Sequence, residues 1–309
     1  MRNLTRRSFV TTIGRAGVAA GGLGALNMMF WGCGGAESAP PDGALAADDP
    51  FRWIAAPGLP NHETGIFPNP GCPFPIREQP GRIYRVARKP VAAAELTKIG
   101  WWEFGVAVNG VPFDPSGPSW EGDADSGWQF EVTSPVATPH LGLDMQHAHV
   151  QPSGAYHYHA EAPGLLAALA SHEAIEAGTM LLAGWAADGF PIYAGYGHAA
   201  AMDPESPLVE LHSGYRLRSG ARQSGPGGTH DGTFVEDYLY DPSKDALDEA
   251  NGRFGVTPEY PDGTYHYMLT AAFPYIPRLF RGTPDPTFGT HSQGPGLGGL
   301  PPALRGYHG

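Results

Sequence analysis

Gln146-His147-Ala148-His149-Val150-Gln151-Pro152-Ser153-Gly154-Ala155-Tyr156-His157-Tyr158-His159 is the stretch on which the fold and the chemistry of this chain turn. Two runs alternating apolar and histidine residues flank Pro152-Ser153-Gly154. Pro suits the second position of a type I turn and Gly the left-handed residue after it, so the stretch predicts a hairpin closed by a glycine bulge. If Gln151 pairs with Ala155, His149 faces His157 and His147 faces His159. Direct partners lie about 5 Å apart at Cβ and residues two apart share a face, so the imidazoles converge on one side. Ala148, Val150, Tyr156 and Tyr158 take the other, toward a core. A one-residue slip would place the two His pairs on opposite faces, so the bulge decides the outcome.

The pattern returns. Leu143-Asp144 followed by Pro152 to His159 is echoed by Leu247-Asp248 followed by Pro261-Asp262-Gly263-Thr264-Tyr265-His266-Tyr267-Met268, with the Tyr-His-Tyr triplets 109 residues apart. Two related hairpins are expected, with histidines facing a shared site, and Met268 stands where the first hairpin has His159. A lone histidine in such a strand is ordinarily a hydrogen-bonded core residue. Four on one hairpin and a fifth in its repeat point to a metal, because neutral imidazoles are good ligands while clustered protonated ones repel. Copper comes first, from the nitrogen-rich set and the soft donor Met268, with zinc second.

Other side chains join as candidates. Asp188, in Ala187-Asp188-Gly189-Phe190-Pro191, suits a turn-capping carboxylate, a ligand, or an acceptor that fixes an imidazole tautomer. Asp248 and Glu249 crowd oxygen donors near Gly252, as calcium would like, but without the spacing of an EF-hand loop. Calcium therefore ranks below copper and zinc. The sequence has no phosphate-cradling glycine loop after a strand, no nucleophile elbow and no CxxC pair.

Composition agrees with a loop-rich β protein. Glycine (44) and proline (32) make up about a quarter of the 309 residues, twice the usual share. Alternating segments at 82–88, 101–108, 128–132, 232–240 and 264–270 read as strands. One helix is expected over 164–177, with short helical turns at 91–97 and 245–249. The expected fold is mainly β, a sheet or sandwich with one or two short helices, α+β being the alternative. Beyond Cys33 the chain carries 15 basic against 31 acidic side chains, a surface that repels phosphate backbones and makes nucleic acid a poor partner.

Thr5-Arg6-Arg7-Ser8-Phe9-Val10 and the weakly apolar, Gly/Ala-rich run after it resemble a twin-arginine export signal. Phe30-Trp31-Gly32-Cys33 resembles a lipoprotein cleavage box. Cys33 is the expected lipidation site and the only expected membrane link, although Ala44-Leu45-Ala46 offers a competing cleavage that would release the protein. The expected organisation is a signal over 1–33, a flexible tether over 34–50, one domain over 51–282 and a disordered Gly/Pro-rich tail over 283–309. The expected location is the cell envelope or periplasm.

His149-Val150-Gln151-Pro152 through His159, Ala187-Asp188-Gly189-Phe190-Pro191-Ile192-Tyr193, His230-Asp231-Gly232-Thr233-Phe234 and Thr257 to Tyr267 occur in the order seen in the YHYH domain family, which this chain resembles from about residue 61 to 282. The resemblance implies that His149, His157, His159 and His266 belong to a shared pattern and that His147 is a neighbour rather than a ligand. It also implies a cysteine where this chain has Ala250, which leaves Cys72 without that partner. It brings no settled activity. The expected function is an exported copper- or zinc-binding protein. The alternatives are a metal-dependent hydrolase or oxidase using the same site, and a surface module for polysaccharide or protein with structural histidines.

Overall fold

The structure is a computed structural model that describes residues 49–100, 103–242 and 247–289. The fold is mainly β. The strands are β1 (Phe51–Ala55), β2 (Ile83–Ala87), β3 (Ala92–Lys98), β4 (Gly105–Ala107), β5 (Pro112–Phe113), β6 (Ala148–Val150), β7 (Tyr156–Tyr158) and β8 (Leu182–Ala186). They continue with β9 (Pro191–Tyr193), β10 (Tyr196–His198), β11 (Leu208–Glu210), β12 (Tyr215–Leu217), β13 (Tyr238–Tyr240), β14 (Gly252–Thr257), β15 (Tyr260–Met268) and β16 (Leu279–Gly282). Among the described residues there are three short α-helices, α1 (Ala137–Leu141), α2 (Pro163–Leu169) and α3 (His172–Glu176). Among the described residues no helix is long and apolar enough to cross a membrane.

Eight strands form the main sheet, in the order β14-β15-β9-β8-β4-β5-β7-β6. This order is a duplication read outward from the antiparallel β4–β8 seam. Val108 N–H donates to the Ala183 carbonyl (2.9 Å) and Ala187 N–H to the Phe104 carbonyl (2.8 Å), so the two sides exchange equivalent bonds. On each side a tight turn follows, closed by Ala107 N to Val111 O (2.8 Å) in one half and by Ala186 N to Phe190 O (2.9 Å) in the other. Asn109-Gly110 and Asp188-Gly189 make these turns. Both glycines lie at positive φ, 80° and 93°, where a side chain would be strained. The strands after the turns run parallel to the second strand of each hairpin, with Phe113 beside Tyr158 and Ile192 beside Tyr267. The hairpins share their register, Ala148 opposite Tyr158 and Gly252 opposite Tyr267.

Alternation buries one face of both hairpins in a common core. Ala148, Val150, Tyr156, Tyr158, Tyr265 and Tyr267 meet Tyr84 and Val86 of β2 and Phe280 of β16 there. The β1–β2 and β3–β16 pairs thus cover the tyrosine face of the main sheet. Phe104 stacks on Phe280 (5.2 Å) and meets Tyr267 edge-on (4.9 Å), and aromatic pairs of this kind stabilise by about 1 kcal/mol beyond the area they bury.

Several local expectations are corrected. The helix expected over 164–177 breaks in two, because Ala170 is extended and the Ser171 hydroxyl caps α3 by accepting from Ala174 N–H (3.3 Å). Residues 92–98 form strand β3 rather than helical turns, because the antiparallel pairing of Leu279 with Lys98 and Phe280 with Thr97 overrides local preference. Residues 128–132 contribute only isolated bridges to Ser119 and Phe234. The packed domain extends beyond residue 282. Phe288 is fully buried and stacks on Tyr84 (4.3 Å), and Asp285 pairs with Arg85 (2.8 Å), so one aromatic anchor outweighs a Pro/Gly-rich context. The expected export signal, Cys33 and the tail from residue 290 lie outside the described residues.

Candidate metal centre

The hairpin forms in the expected register. Gln151 N–H donates to the Ala155 carbonyl (2.9 Å), Gly154 lies at φ 91°, and His149 faces His157. A Cβ on Gly154 would meet the Arg77 Cβ at 2.5 Å, so the bulge needs glycine for both conformation and space. His159 follows directly on the same face as His157. The three rings of His149, His157 and His159 form a nearly equilateral set with centroids 4.7, 4.8 and 4.7 Å apart and planes 64–81° to one another.

One ligand nitrogen from each ring lies within 4.8 Å of the others. Three nitrogens on one tetrahedral ion stand about 3.3 Å apart, so only a small inward movement separates this arrangement from a coordinated one. The tautomers favour it. His149 Nδ1 meets the Leu141 carbonyl at 2.7 Å and His157 Nδ1 meets the Ala155 carbonyl at 3.2 Å. A carbonyl only accepts, so both Nδ1 atoms carry the proton and both Nε2 atoms keep a lone pair. His159 is more telling, because both its ring nitrogens are buried with no hydrogen-bond partner. A buried polar atom without a partner costs about 1–3 kcal/mol, a penalty that coordination of an ion would remove.

Electrostatics keep the set neutral. Desolvation, and then the neighbouring His157, push His149 down to about 3. Desolvation takes His157 to about 4. Desolvation, His157 and His149 together hold His159 well below the ordinary histidine value. At neutral pH three uncharged imidazoles therefore present lone pairs to a common centre. Asp114 adjoins the set: its main chain lies against the His159 ring, and burial raises its carboxyl to about 6. Nothing in the flanking Phe113-Asp114-Pro115 marks Asp114 as functional; the signal that finds it is the repeat of Gly105–Asp114 at Gly184–Tyr193.

The remaining expected residues lie elsewhere. His266 does not share the centre, because β9, β8, β4 and β5 separate β15 from β7 in the sheet. It is fully buried against Tyr193 (5.5 Å), and burial lowers it to about 4. Met268 packs with Met180, Tyr193, Leu211 and Leu247, which removes the soft donor from the centre. His147 adopts φ 53° and turns its Nδ1 to the Glu161 carbonyl (2.9 Å), while its own carbonyl accepts from His159 N–H (2.8 Å), so it flanks the triad without its ring joining it. Asp188 is a corner residue: Oδ2 accepts from the Tyr267 hydroxyl (2.5 Å) and from Gly282 N–H (2.8 Å). Asp248 accepts from the Tyr265 hydroxyl and from the N–H groups of Ala250 and Gly252, all at 3.0 Å. Glu249 is exposed, and its carbonyl accepts from Tyr215 (3.0 Å). The oxygen donors expected for calcium thus hold turns together.

The shared register explains why one hairpin has a triad and the other does not. Arg253 stands opposite His266 as His149 stands opposite His157, and Met268 replaces His159. Asp144 and Asp248 do the same work in the two halves, accepting a tyrosine hydroxyl (Tyr156 at 2.7 Å, Tyr265 at 3.0 Å) and local N–H groups.

The model of the YHYH protein family matches residues 83–282, which spans both hairpins and the β4–β8 seam. Neither a comparison with curated proteins nor one with solved structures finds a match.

Proposed function

The chain belongs to the YHYH protein family, and on that footing we propose that it is an exported metal-binding protein whose centre is His149, His157 and His159. The observation that carries the reading is His159: a buried imidazole with neither nitrogen hydrogen-bonded, beside two others whose Nε2 atoms keep their lone pairs, with one ligand nitrogen of each ring within 4.8 Å of the others. Packing alone offers no reason to collect three desolvated bases on one face; an ion that accepts three nitrogens does. The ion is a late first-row metal. Copper exceeds zinc in intrinsic affinity for imidazole, whereas zinc suits a tetrahedral three-nitrogen set, and the absence of Met268 from the centre removes the particular argument for copper.

Export through the twin-arginine route, with Cys33 as lipid anchor, places the protein in the cell envelope or periplasm. Folding before export would let the centre fill in the cytoplasm. The test is elemental analysis of protein recovered through its own signal. One equivalent of copper or zinc per chain is expected in the wild type and none in the His157→Ala/His159→Ala double variant. A metal-free wild type that also takes up neither ion when titrated would end the reading.

A further inference from the structure

Among the described residues three histidines form the centre, and the residue that adjoins them from the neighbouring strand is Asp114. Asp114 follows directly on β5. Its N–H donates to the Tyr158 carbonyl (2.9 Å), between His157 and His159 in the chain. Phe113 goes into the aromatic core against Tyr158 (5.6 Å), so alternation turns Asp114 to the histidine face. The carboxylate is held there from two sides, by Ser116 N–H on Oδ1 (2.9 Å) and by Gln151 Nε2 on Oδ2 (3.3 Å). Gln151 lies two residues beyond His149, on the same face of its strand, so the Asp114–Gln151 pair reaches from β5 to β6 across β7, whose His157 lies between them. Asp114, His149 and Gln151 are each half-buried, so this rim meets solvent while His157 and His159 are sealed.

The duplication gives a second, independent view of the position. Tyr193 is the counterpart of Asp114, and its ring meets His266, the counterpart of His157, edge-on at 5.5 Å. In the second half this position therefore packs against the central histidine. In the half that lacks the triad it is an uncharged phenol bonded to Thr257 (2.8 Å) and Glu259 (2.7 Å), and in the half that has the triad it is an acid.

We propose that Asp114 is a working residue of the centre, a fixed acceptor whose carboxylate would hold a water molecule by hydrogen bonding at the open side of the three histidines. This rests on the metal reading above and deepens it, because it makes the centre an open, exchangeable one. Sites with four protein ligands are structural, and sites with three keep a position for water or substrate. Gln151 and Ser116 are positioning residues that set the direction of the carboxylate.

The test uses the full-length protein loaded with cobalt(II), whose visible bands report coordination, titrated with sodium azide. Wild type is expected to bind one cobalt per chain and to change its bands on adding azide. Asp114→Asn should keep the cobalt stoichiometry and bind azide about tenfold more tightly, because the carboxylate that repels an anion and retains water is gone. Asp114→Glu should return toward wild type, and Gln151→Leu, which leaves Asp114 in place, should shift azide affinity in the same direction by a smaller factor. Azide affinity unchanged in Asp114→Asn, or unchanged in Gln151→Leu if Asp114→Asn does not fold, overturns the role of Asp114. Cobalt bound with no azide response overturns the open site. A wild type that takes no cobalt overturns the metal reading itself.

Discussion

Asn109 and Asp188 occupy the same corner in the two halves of the sheet, and the hydroxyl each one meets decides which of the two residues is there. Each accepts the main-chain N–H two residues on, from Val111 (3.2 Å) and from Phe190 (3.4 Å). Asn109 Nδ2 donates to the Tyr158 hydroxyl (2.9 Å), which in turn donates to His62 Nε2 (2.5 Å), since His62 Nδ1 gives its proton to the Glu63 carbonyl (2.9 Å). Tyr267 has no such histidine. It accepts from Arg281 N–H (2.6 Å) and must donate, so its corner needs an acceptor, and Asp188 supplies one. Hydrogen-bond polarity, rather than shape, separates the amide from the acid.

Asp188 accordingly couples stability to pH. Burial raises its folded value to about 6, above the ordinary aspartate value, so the ionised form is penalised in the fold. The penalty is absent below pH ~4 and complete above ~6, and wild type should lose up to about 3 kcal/mol relative to Asp188→Asn over that interval. Asp188→Ala, which leaves the Tyr267 hydroxyl and Gly282 N–H unpaired, should cost about 2–4 kcal/mol at pH 4.5 and less at pH 7.5, where the wild type carries the ionisation penalty. Urea unfolding at pH 4.5 and pH 7.5 checks both, and a wild-type-minus-Asn difference independent of pH would contradict the first.

Asp237 behaves in the opposite sense. Burial alone would raise its carboxyl, but hydrogen bonds from Arg222 and His230, then from Phe234 N–H, outweigh it and bring the value to about 2. Its carboxylate and the Arg222 guanidinium are both fully buried, joined at 2.8 and 2.7 Å. A lowered acid contributes stability above its unfolded value and loses it as pH falls from ~4 to ~2. Asp237→Asn should flatten the acid limb of the unfolding profile and cost about 3–5 kcal/mol at pH 7, because Arg222 is left charged and buried. Thermal melts across pH 2–7 measure this.

His266→Ala should leave metal stoichiometry at the wild-type value, while costing about 1–3 kcal/mol for the void left by a fully buried ring. Loss of the metal with retention of the fold in this variant would mean that the two hairpins meet after all.

Arg253→His/Met268→His should create a second centre. The backbone of the second hairpin already holds positions 253, 266 and 268 in the register of 149, 157 and 159, so the two substitutions rebuild three histidines on one face. Two equivalents of zinc per chain are expected by titration calorimetry, against one for wild type. Arg253→His alone should bind one, because two imidazoles hold an ion weakly.

The halves were only partly legible in the sequence, for a definite reason. The hairpin pair shows because Tyr-His-Tyr is rare and its glycine turn is conspicuous. The seam is quieter. Gly105-Val106-Ala107-Val108-Asn109-Gly110-Val111-Pro112 and Gly184-Trp185-Ala186-Ala187-Asp188-Gly189-Phe190-Pro191 share small residues and a turn, which many strands share. Asp114 was hidden for the same reason: a single acid after a two-residue strand has no periodicity to announce it.

The sequence alone determined a mainly β chain, the register of the first hairpin with His149 opposite His157, and the convergence of His149, His157 and His159, because alternation along a strand and the chirality of a glycine bulge are local properties. Tertiary structure alone decided that the second hairpin lies at the other end of the sheet. Strand order is set by which edges pair, and β4 pairs with β8, placing four strands between His157 and His266. No spacing along the chain encodes that choice, since the pairing energy of a seam is a sum over residues far apart in sequence.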